Sequence, residues 1–446
     1  MRADGRVFFC PMREIAKKIV RKLRDAGNEA FFVGGSVRDG LLSIEPNDFD
    51  IATNALPNEI ERLFPQTVGV GKQFGVMMVL EGGEEFQVAT FRAESGYADA
   101  RRPDDVTFCD VRTDAERRDF TVNGLFLDPL TDVLYDWVGG QADVKARLLR
   151  TIGNPEERFR EDHLRLLRAV RFAAKLDFEI DESTFVAVRD LAENIKTVSA
   201  ERIRDELMKL FRPPHAARGL DLLRASGLMA HVLPEVLPTI NSKQSPDYHP
   251  EGNVYDHIRL ALEKLPSDAS SILPWTLLLH DIGKPVTSST GVDGRIHFYG
   301  HEKVGAEMTK AILERLRFPK KQIDEIVFTV RHHMQFKDAP KMRKATLRRM
   351  LLRPTFELEL EQHRLDCLAS HGKLDILDFL RKEQVALNEQ PELIPPIICG
   401  KDLIELGIKP GPAMGDLLET IRDKQLAEEF TSREQVLAWV KEKTAQ

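Results

Sequence analysis

The sequence predicts an α+β fold: a small head that mixes strands and helices, followed by a mostly helical chain. Three observations carry this. Short β-like runs (EAFFVGG, VGVGKQFGVMMVL, EEFQVATF and VLYDWVGG) crowd into the first 140 residues. After about Leu148, apolar residues recur at helical spacing through LRLLRAVRFAAKL, TFVAVRDLAENI and AERIRDELMKLF. The 446-residue length also predicts more than one domain.

In order, residues 11–26 (PMREIAKKIVRKLRDA) read as a helix begun by Pro11 and ended by Gly27-Asn28. EAFFVGG reads as a strand running into a glycine turn. Pro-rich and polar breaks near 213–214 and 241–253 mark boundaries. Helices dotted with histidines then run to about residue 390, and a last helical segment follows PELIPP at 391–396. The expected parts are a head (1–148), a helical neck (149–240), a histidine-rich domain (241–390) and a C-terminal segment (391–446). No fixed-period repeat or low-complexity tract interrupts them.

The bulk numbers exclude some classes. With 42% hydrophobic and 30% charged residues, the composition is that of a soluble globular protein. No run of about 18 apolar residues predicts a membrane span, and the N-terminal stretch lacks a secretory apolar core. Cys10, Cys109, Cys367 and Cys399 show no metal-type spacing, so free thiols in a reducing cytoplasm are expected. The net charge of −7 opposes general nucleic-acid binding, so an RNA partner needs a local basic surface, and DNA is not expected. The densest basic run is MRKATLRRMLLR (342–353); KLRDAGNE and RLRFPKK are weaker candidates, and each alone reads as a solvated face.

The chemistry concentrates in FFVGGSVRDGLLSIEPNDFDIAT (31–53). Gly34 and Gly35 let the backbone approach a ligand, and N–H groups in such a turn cradle phosphate oxygens. Ser36 belongs to the same turn, and Arg38 adds a charge-assisted contact. Asp48 and Asp50 share one face if they lie on a strand. Two carboxylates that close repel unless a cation lies between them, and Mg²⁺ prefers carboxylate plus phosphate oxygens. A phosphate cradle beside a metal site implies nucleotidyl transfer. The bland alternative is a turn with two solvated aspartates.

GGSVRDGLL followed by DFDIAT resembles the class II nucleotidyltransferases, the group of tRNA CCA-adding enzymes and bacterial poly(A) polymerases. RRDFTVNGLFLDP (117–129), DVKARLLRTIGNPEERFREDHLRLLRAVRFAAKL (143–176) and SAERIRDELMKLF (199–211) match the family's later motifs in order. The resemblance implies a mostly antiparallel head sheet. It also implies Mg²⁺ on catalytic Asp48 and Asp50, and a nucleotide held by Gly34, Gly35, Ser36, Arg38 and Arg118. Its EDxxR motif falls on Glu161, Asp162 and Arg165. Asp162 and Arg165, three apart, share a helix face. An acceptor beside a donor suits cytosine and adenine, which pair an amino group with a ring-nitrogen acceptor. Uracil and guanine present the opposite polarity and leave buried groups unpaired, at about 1–3 kcal/mol each. Glu161 orients an arginine, and Arg168 and Arg171 continue the row toward triphosphate or base. Asp119 and Asn123 read as structural. The polar stretch 90–106 reads as the mobile loop that CCA-adding enzymes carry and CC-adding ones lack.

His257, HDIGKP (280–285), His301, VRHHM (His332, His333) and Asp366 resemble the HD domain of metal-dependent phosphohydrolases. The resemblance implies a divalent-metal site (Ni²⁺, Mn²⁺ or another) on His257, His280, Asp281 and Asp366, with His301 and His333 available for a second ion and Lys284 for a phosphate. The choice between His332 and His333 stays open. The expected partners are the tRNA 3′ acceptor end, CTP and ATP, with sequential addition of C, C and A. An A-adding enzyme or poly(A) polymerase is the near alternative. An RNA-binding head with the HD site as the only active centre is the alternative of another class.

Overall fold

The computed structural model describes residues 11–95, 105–245, 252–292 and 295–444. The chain divides into two units. The first takes in the chain as far as Phe211 together with Arg218–Pro234; the second takes in Arg212–Ala217 and continues from Glu235.

The first unit opens with the Pro11–Asp25 helix, whose Ala16, Ile19, Val20 and Leu23 form one buried face at helical spacing. A seven-stranded sheet follows. Its strands are β1 (Ala30–Val33), β2 (Asp50–Thr53), β3 (Thr67–Gly71), β4 (Val76–Glu81) and β5 (Glu84–Thr90), then β8 (Leu125–Asp128) and β9 (Val133–Asp136). Between them β6 (Arg92–Ser95) and β7 (Asp105–Phe108) pair separately as an antiparallel ladder. The sheet order is β3-β4-β5-β2-β1-β8-β9. Every neighbouring pair is antiparallel except β2 with β5. The expected sheet is therefore present, with one parallel pair added.

All four residues of β1 are buried, so both sheet faces are covered there. Alternation sorts its aromatics. Phe31 meets Phe91 and Phe126, each at 6.2 Å between ring centroids, and Phe32 meets Phe49 at 5.1 Å. Beyond the sheet the chain is helical. The Leu164–Leu176 helix is buried nearly all round, with the Pro155–Glu161 and Ala200–Leu210 helices against it.

The second unit is a helical assembly. Val254–Glu263, Leu273–Leu279, His301–Arg315, Lys320–His332 and Phe356–Ala369 surround the histidines. Gly283 lets two of these segments touch: a Cβ there would lie 2.4 Å from the His301 carbonyl oxygen and 2.7 Å from the Gly305 nitrogen. Ile398, Leu403, Ile421, Val436 and Val440 form a separate apolar cluster in the C-terminal segment. Among the described residues, no helix is long and apolar enough to cross a membrane.

Candidate functional site

Strand register places the glycine turn beside the aspartates. Val33, the last residue of β1, pairs with Asp50, the first of β2. The chain then turns at Gly34, with φ +69° and ψ −127°, a backbone conformation L side chains rarely adopt. A Cβ there would sit 3.4 Å from Arg118 Nη1. Asp48 lies two residues before Asp50, outside the strand rather than on it, because pairing with β1 starts only at Asp50. The intervening Phe49 is buried on Phe32, which leaves both carboxylates free to face the cavity they line. Burial, then the charge of Asp48, raise the Asp50 carboxyl to about 6 despite the opposing Arg118.

The cavity holds about 550 Å³ and is lined by Gly34, Gly35, Arg38, Asp48, Asp50, Arg118, Asp162, Arg165 and Arg168 among others. Arg38 is 2% exposed and its guanidinium is committed: Nη1 donates to Asn123 Oδ1 (2.6 Å) and Nε and Nη2 to Asp39 Oδ1. Ser36 Oγ donates to the Val33 carbonyl, so this side chain braces the turn and does not line the cavity. Arg118 leans on Asp114 (3.1 Å) and over the Phe126 ring, and its Nε is buried without a hydrogen-bond partner among the described residues. Asp119 ties the second motif to the third. Its Oδ2 accepts from Arg168 Nε (2.9 Å) and Nη2 (2.5 Å), and its Oδ1 from the Phe120 N–H and Asn123 Nδ2. Burial alone would raise this carboxyl, but Arg168 and Asn123 outweigh it and hold it at about 2.

Two expectations about the third motif are corrected. Asp162 and Arg165 do not share a helix. The Pro155–Glu161 helix ends at Asp162 (φ −142°, ψ 106°), and the next begins at Leu164. The physical reason is local capping: Asp162 Oδ1 accepts the Leu164 N–H at 3.0 Å. Both side chains still line the cavity. Arg171 does not line it. Each step of three residues turns about 300°, so a row at 165, 168, 171 precesses off the face by about 60° per step. Arg171 closes instead a buried 2.5 Å ion pair with Glu206. Phe172 and Lys175, four and seven residues beyond Arg168, stay on the cavity side. Glu161 is not a lining residue; its Oε2 takes hydrogen bonds from Arg158 (3.0 Å) and Arg165 (2.5 Å), which fits the expected orienting part. Sequence reasoning missed Lys175, Arg92, Arg117 and Arg202 as lining residues. The seven-residue step from Arg168 could have found Lys175.

The expected loop at 90–106 lies largely outside the described residues. In the basic run at 342–353, four cations pair with carboxylates. Arg348 pairs with Glu428 at 2.8 Å, Lys344 with Glu428 at 2.5 Å, Arg353 with Glu359 at 2.9 Å, and Arg349 with Asp423.

In the second unit four histidines converge from four helix ends and faces, and Asp366 joins them from a fifth helix. His257 Nε2 lies 3.2 Å from His280 Nε2, 3.1 Å from Asp366 Oδ1 and 3.9 Å from Asp281 Oδ2. Across Asp281, His301 Nε2 and His333 Nε2 stand 3.2 Å apart, with Asp281 Oδ1 at 3.4 and 3.8 Å. Each of His280, His301 and His333 points its Nδ1 at a backbone carbonyl, of Leu277, Phe298 and Val330. Donation to a carbonyl puts the proton on Nδ1 and leaves Nε2 as a lone pair. Facing lone pairs repel unless a proton or a cation lies between them. Burial and neighbouring His280 push His333 down to about 3, which keeps it neutral as a ligand must be. Donor set and convergence therefore fit divalent metal. His332 is turned away, against the Phe328 ring at 4.0 Å, and His333 takes the ligand position. Lys284 Nζ bonds Asp281 Oδ2 (2.7 Å) and lines an adjoining cavity of about 640 Å³.

Comparison with known proteins agrees with this geometry. Residues 30–150 match the model for a poly A polymerase head domain, 177–239 that for the "probable RNA and SrmB-binding site of polymerase A", and 249–368 that for the HD domain. A CCA-adding enzyme of Lactobacillus helveticus (strain DPC 4571) is 45% identical over 208 residues, 46% of this chain and 52% of that protein; the match thus spans about half of the relative's length. One of Lactococcus lactis subsp. cremoris (strain SK11) is 33% identical over 431 residues, 94% of this chain and 93% of that protein. The crystal structure of the Bacillus stearothermophilus CCA-adding enzyme in complex with CTP superposes with a TM-score of 0.75 at 27% identity, covering 98% of both chains. With a relative above 30% identity covered almost end to end, and a head, RNA-binding region and HD domain in the same order, the chain belongs to the CCA-adding enzyme family of nucleotidyltransferases.

Proposed function

We propose that this chain adds C, C and A in turn to the 3′ end of tRNA, from CTP and ATP, without a nucleic-acid template. One observation carries the reading: the Asp48/Asp50 carboxylates, the Gly34–Gly35 turn and the Asp162/Arg165 donor–acceptor pair line a single cavity. Asp48 and Asp50 would hold Mg²⁺, whose chemistry is to acidify the RNA 3′-hydroxyl and neutralise triphosphate charge. The residues fit that group, since two carboxylates two residues apart supply hard oxygen ligands to one cavity.

The turn offers backbone N–H groups to phosphate oxygens. Arg118 lines the same cavity and brings its guanidinium charge to the same anion. Asp162 accepts the exocyclic amino group of C or A, and Arg165, held by Glu161, donates to the ring nitrogen beside it. Arg38 and Arg168 line the same cavity, each fixed by its own amide or acidic partner, and Arg171 acts behind them through Glu206. Head, neck, HD domain and C-terminal segment (1–148, 149–240, 241–390, 391–446) are the proposed functional divisions, and the cytoplasm the proposed compartment, supported by the free thiols of Cys109, Cys367 and Cys399.

Nucleotide incorporation tests the reading. With Mg²⁺ and a tRNA ending at its discriminator base, CTP alone should yield CC and both nucleotides CCA. Addition of A only to tRNA already ending in CC would make it an A-adding enzyme, and long A tails a poly(A) polymerase. The HD cluster favours a second activity, metal-dependent phosphohydrolysis, on His257, His280, Asp281 and Asp366 with His301 and His333 beside them. Phosphatase assays with Ni²⁺ or Mn²⁺ test it.

A further inference from the structure

Asp162 and Arg165 carry opposite charges near one cavity, and left alone they would neutralise each other. The structure gives each a different partner. Arg202, on the Ala200–Leu210 helix, donates from Nη2 to Asp162 Oδ2 at 2.8 Å. The Leu164 N–H holds Oδ1 at 3.0 Å, so the carboxylate is fixed at both oxygens. Arg165 is held by Glu161 Oε2 and by the Arg158 carbonyl. Arg202 itself lines the cavity, and its Nη1 is buried without a partner among the described residues. A carboxylate oxygen has two lone pairs, so each oxygen of Asp162 keeps one for a further donor.

We propose that Arg202 is a positioning residue for base selection: it holds Asp162 away from Arg165 and aims the remaining lone pairs at the amino group of the incoming base. The inference rests on reading Asp162 and Arg165 as the base-selecting pair. Without Arg202, Asp162 is tethered at one oxygen only and can swing onto Arg165, which removes acceptor and donor together. An amino group then loses its partner, and a carbonyl in the same place is no longer penalised. Selectivity falls while the Asp48/Asp50 chemistry stays intact.

The test uses the full-length chain and compares wild type with Arg202→Ala, Arg202→Lys, Asp162→Ala and the Arg202→Ala/Asp162→Ala double variant. kcat/KM is measured for CTP and ATP against UTP and GTP, and thermal unfolding is followed alongside. Arg202→Ala should lower the correct-to-incorrect ratio by about tenfold, equivalent to ~1.4 kcal/mol, with KM rising more than kcat falls. Arg202→Lys should restore part of it. The double variant should lose little beyond Asp162→Ala, because residues that act through one contact are not additive. A wild-type chain that selects C and A beside an Arg202→Ala variant of unchanged ratio, or a fully additive double variant, overturns the inference alone. A wild-type chain that incorporates nothing overturns the reading beneath it.

Discussion

Asp119 joins the second motif to the Leu164–Leu176 helix through Arg168, and its charge has a calculable effect on stability. Its carboxyl is 8% exposed and held at about 2 in the folded chain, against 3.8 for the unperturbed group. A carboxyl depressed on folding stabilises the native state above its unfolded pKa, and that stability drains as pH falls through the folded value. The contribution at neutral pH is ~2 kcal/mol, with roughly half gone by pH 3. Asp119→Asn removes the titration and leaves Arg168 without its anion. It should therefore be less stable than wild type at pH 6, and the gap should narrow as pH falls from 4 toward 2. The two units need not unfold together, so the assay is amide hydrogen exchange of Phe120–Asn123 and Leu164–Leu176 at matched pH in both proteins. A wild-type-minus-variant difference that stays constant from pH 6 to 3 would refute the reasoning.

Asp50→Asn keeps shape and loses charge. Incorporation should fall on the order of 10²–10³-fold, the several kcal/mol that metal-assisted charge stabilisation supplies, with the circular dichroism spectrum unchanged. Gly34→Ala forces an L residue into φ +69° and brings a Cβ to 3.4 Å from Arg118 Nη1. It should cost about 1–2 kcal/mol in the stability of the first unit and raise KM for both nucleotides; an unchanged melting curve and KM would remove the turn from the account. Arg348→Ala should destabilise the second unit by about 1–3 kcal/mol through its lost buried contacts, and leave tRNA affinity nearly unchanged in a binding titration. Excess Mn²⁺ or Ni²⁺, at about 100 times Kd, should stabilise the second unit by ~2.7 kcal/mol. His280→Ala should abolish that gain, and a metal-dependent shift that survives it would place the ion elsewhere.

The head was legible because its residues are tied to backbone features with a sequence signature. A glycine at positive φ, a strand of four buried residues and two aspartates around a buried Phe49 all leave their mark in the string. The HD cluster was legible for a similar reason, since six of its side chains are histidines and aspartates with little other reason to be buried together. What sequence missed was direction. Arg171 belongs to the same arginine row as Arg168, yet helical precession sends it to Glu206. Asp162 and Arg165 have helical spacing, yet Asp162 caps the helix that Arg165 occupies. Arg202 comes from 40 residues further on and enters only through packing of its helix on Leu164–Leu176. The string shows the charges of the basic run and not their partners: Glu428 and Asp423, far along the chain, pair with Lys344, Arg348 and Arg349.

The two candidate cation centres are built on opposite principles, and the contrast explains why one chain can hold both without confusion. In the head, the candidate ligands are carboxylates at the edge of an open cavity, with Asp48 exposed and Asp50 half-buried. Such a site offers only two protein groups and depends on phosphate oxygens for the rest, which suits a hard ion that keeps several waters. Burial and the neighbouring charge of Asp48 raise the Asp50 carboxyl, so a cation between the two would favour its ionised form. In the second unit the donors are buried, and three of four Nε2 lone pairs are fixed by Nδ1 contacts to carbonyls. Imidazole nitrogens favour transition metals, and the rigid second layer removes the freedom that a hexahydrated hard ion needs. Asp281 offers Oδ2 to one histidine pair and Oδ1 to the other, so a single carboxylate couples the two halves of that cluster. Loading one half changes the charge seen by the other through one side chain. Among the described residues that line the head cavity, no single carboxylate stands between two sets of imidazoles in this way.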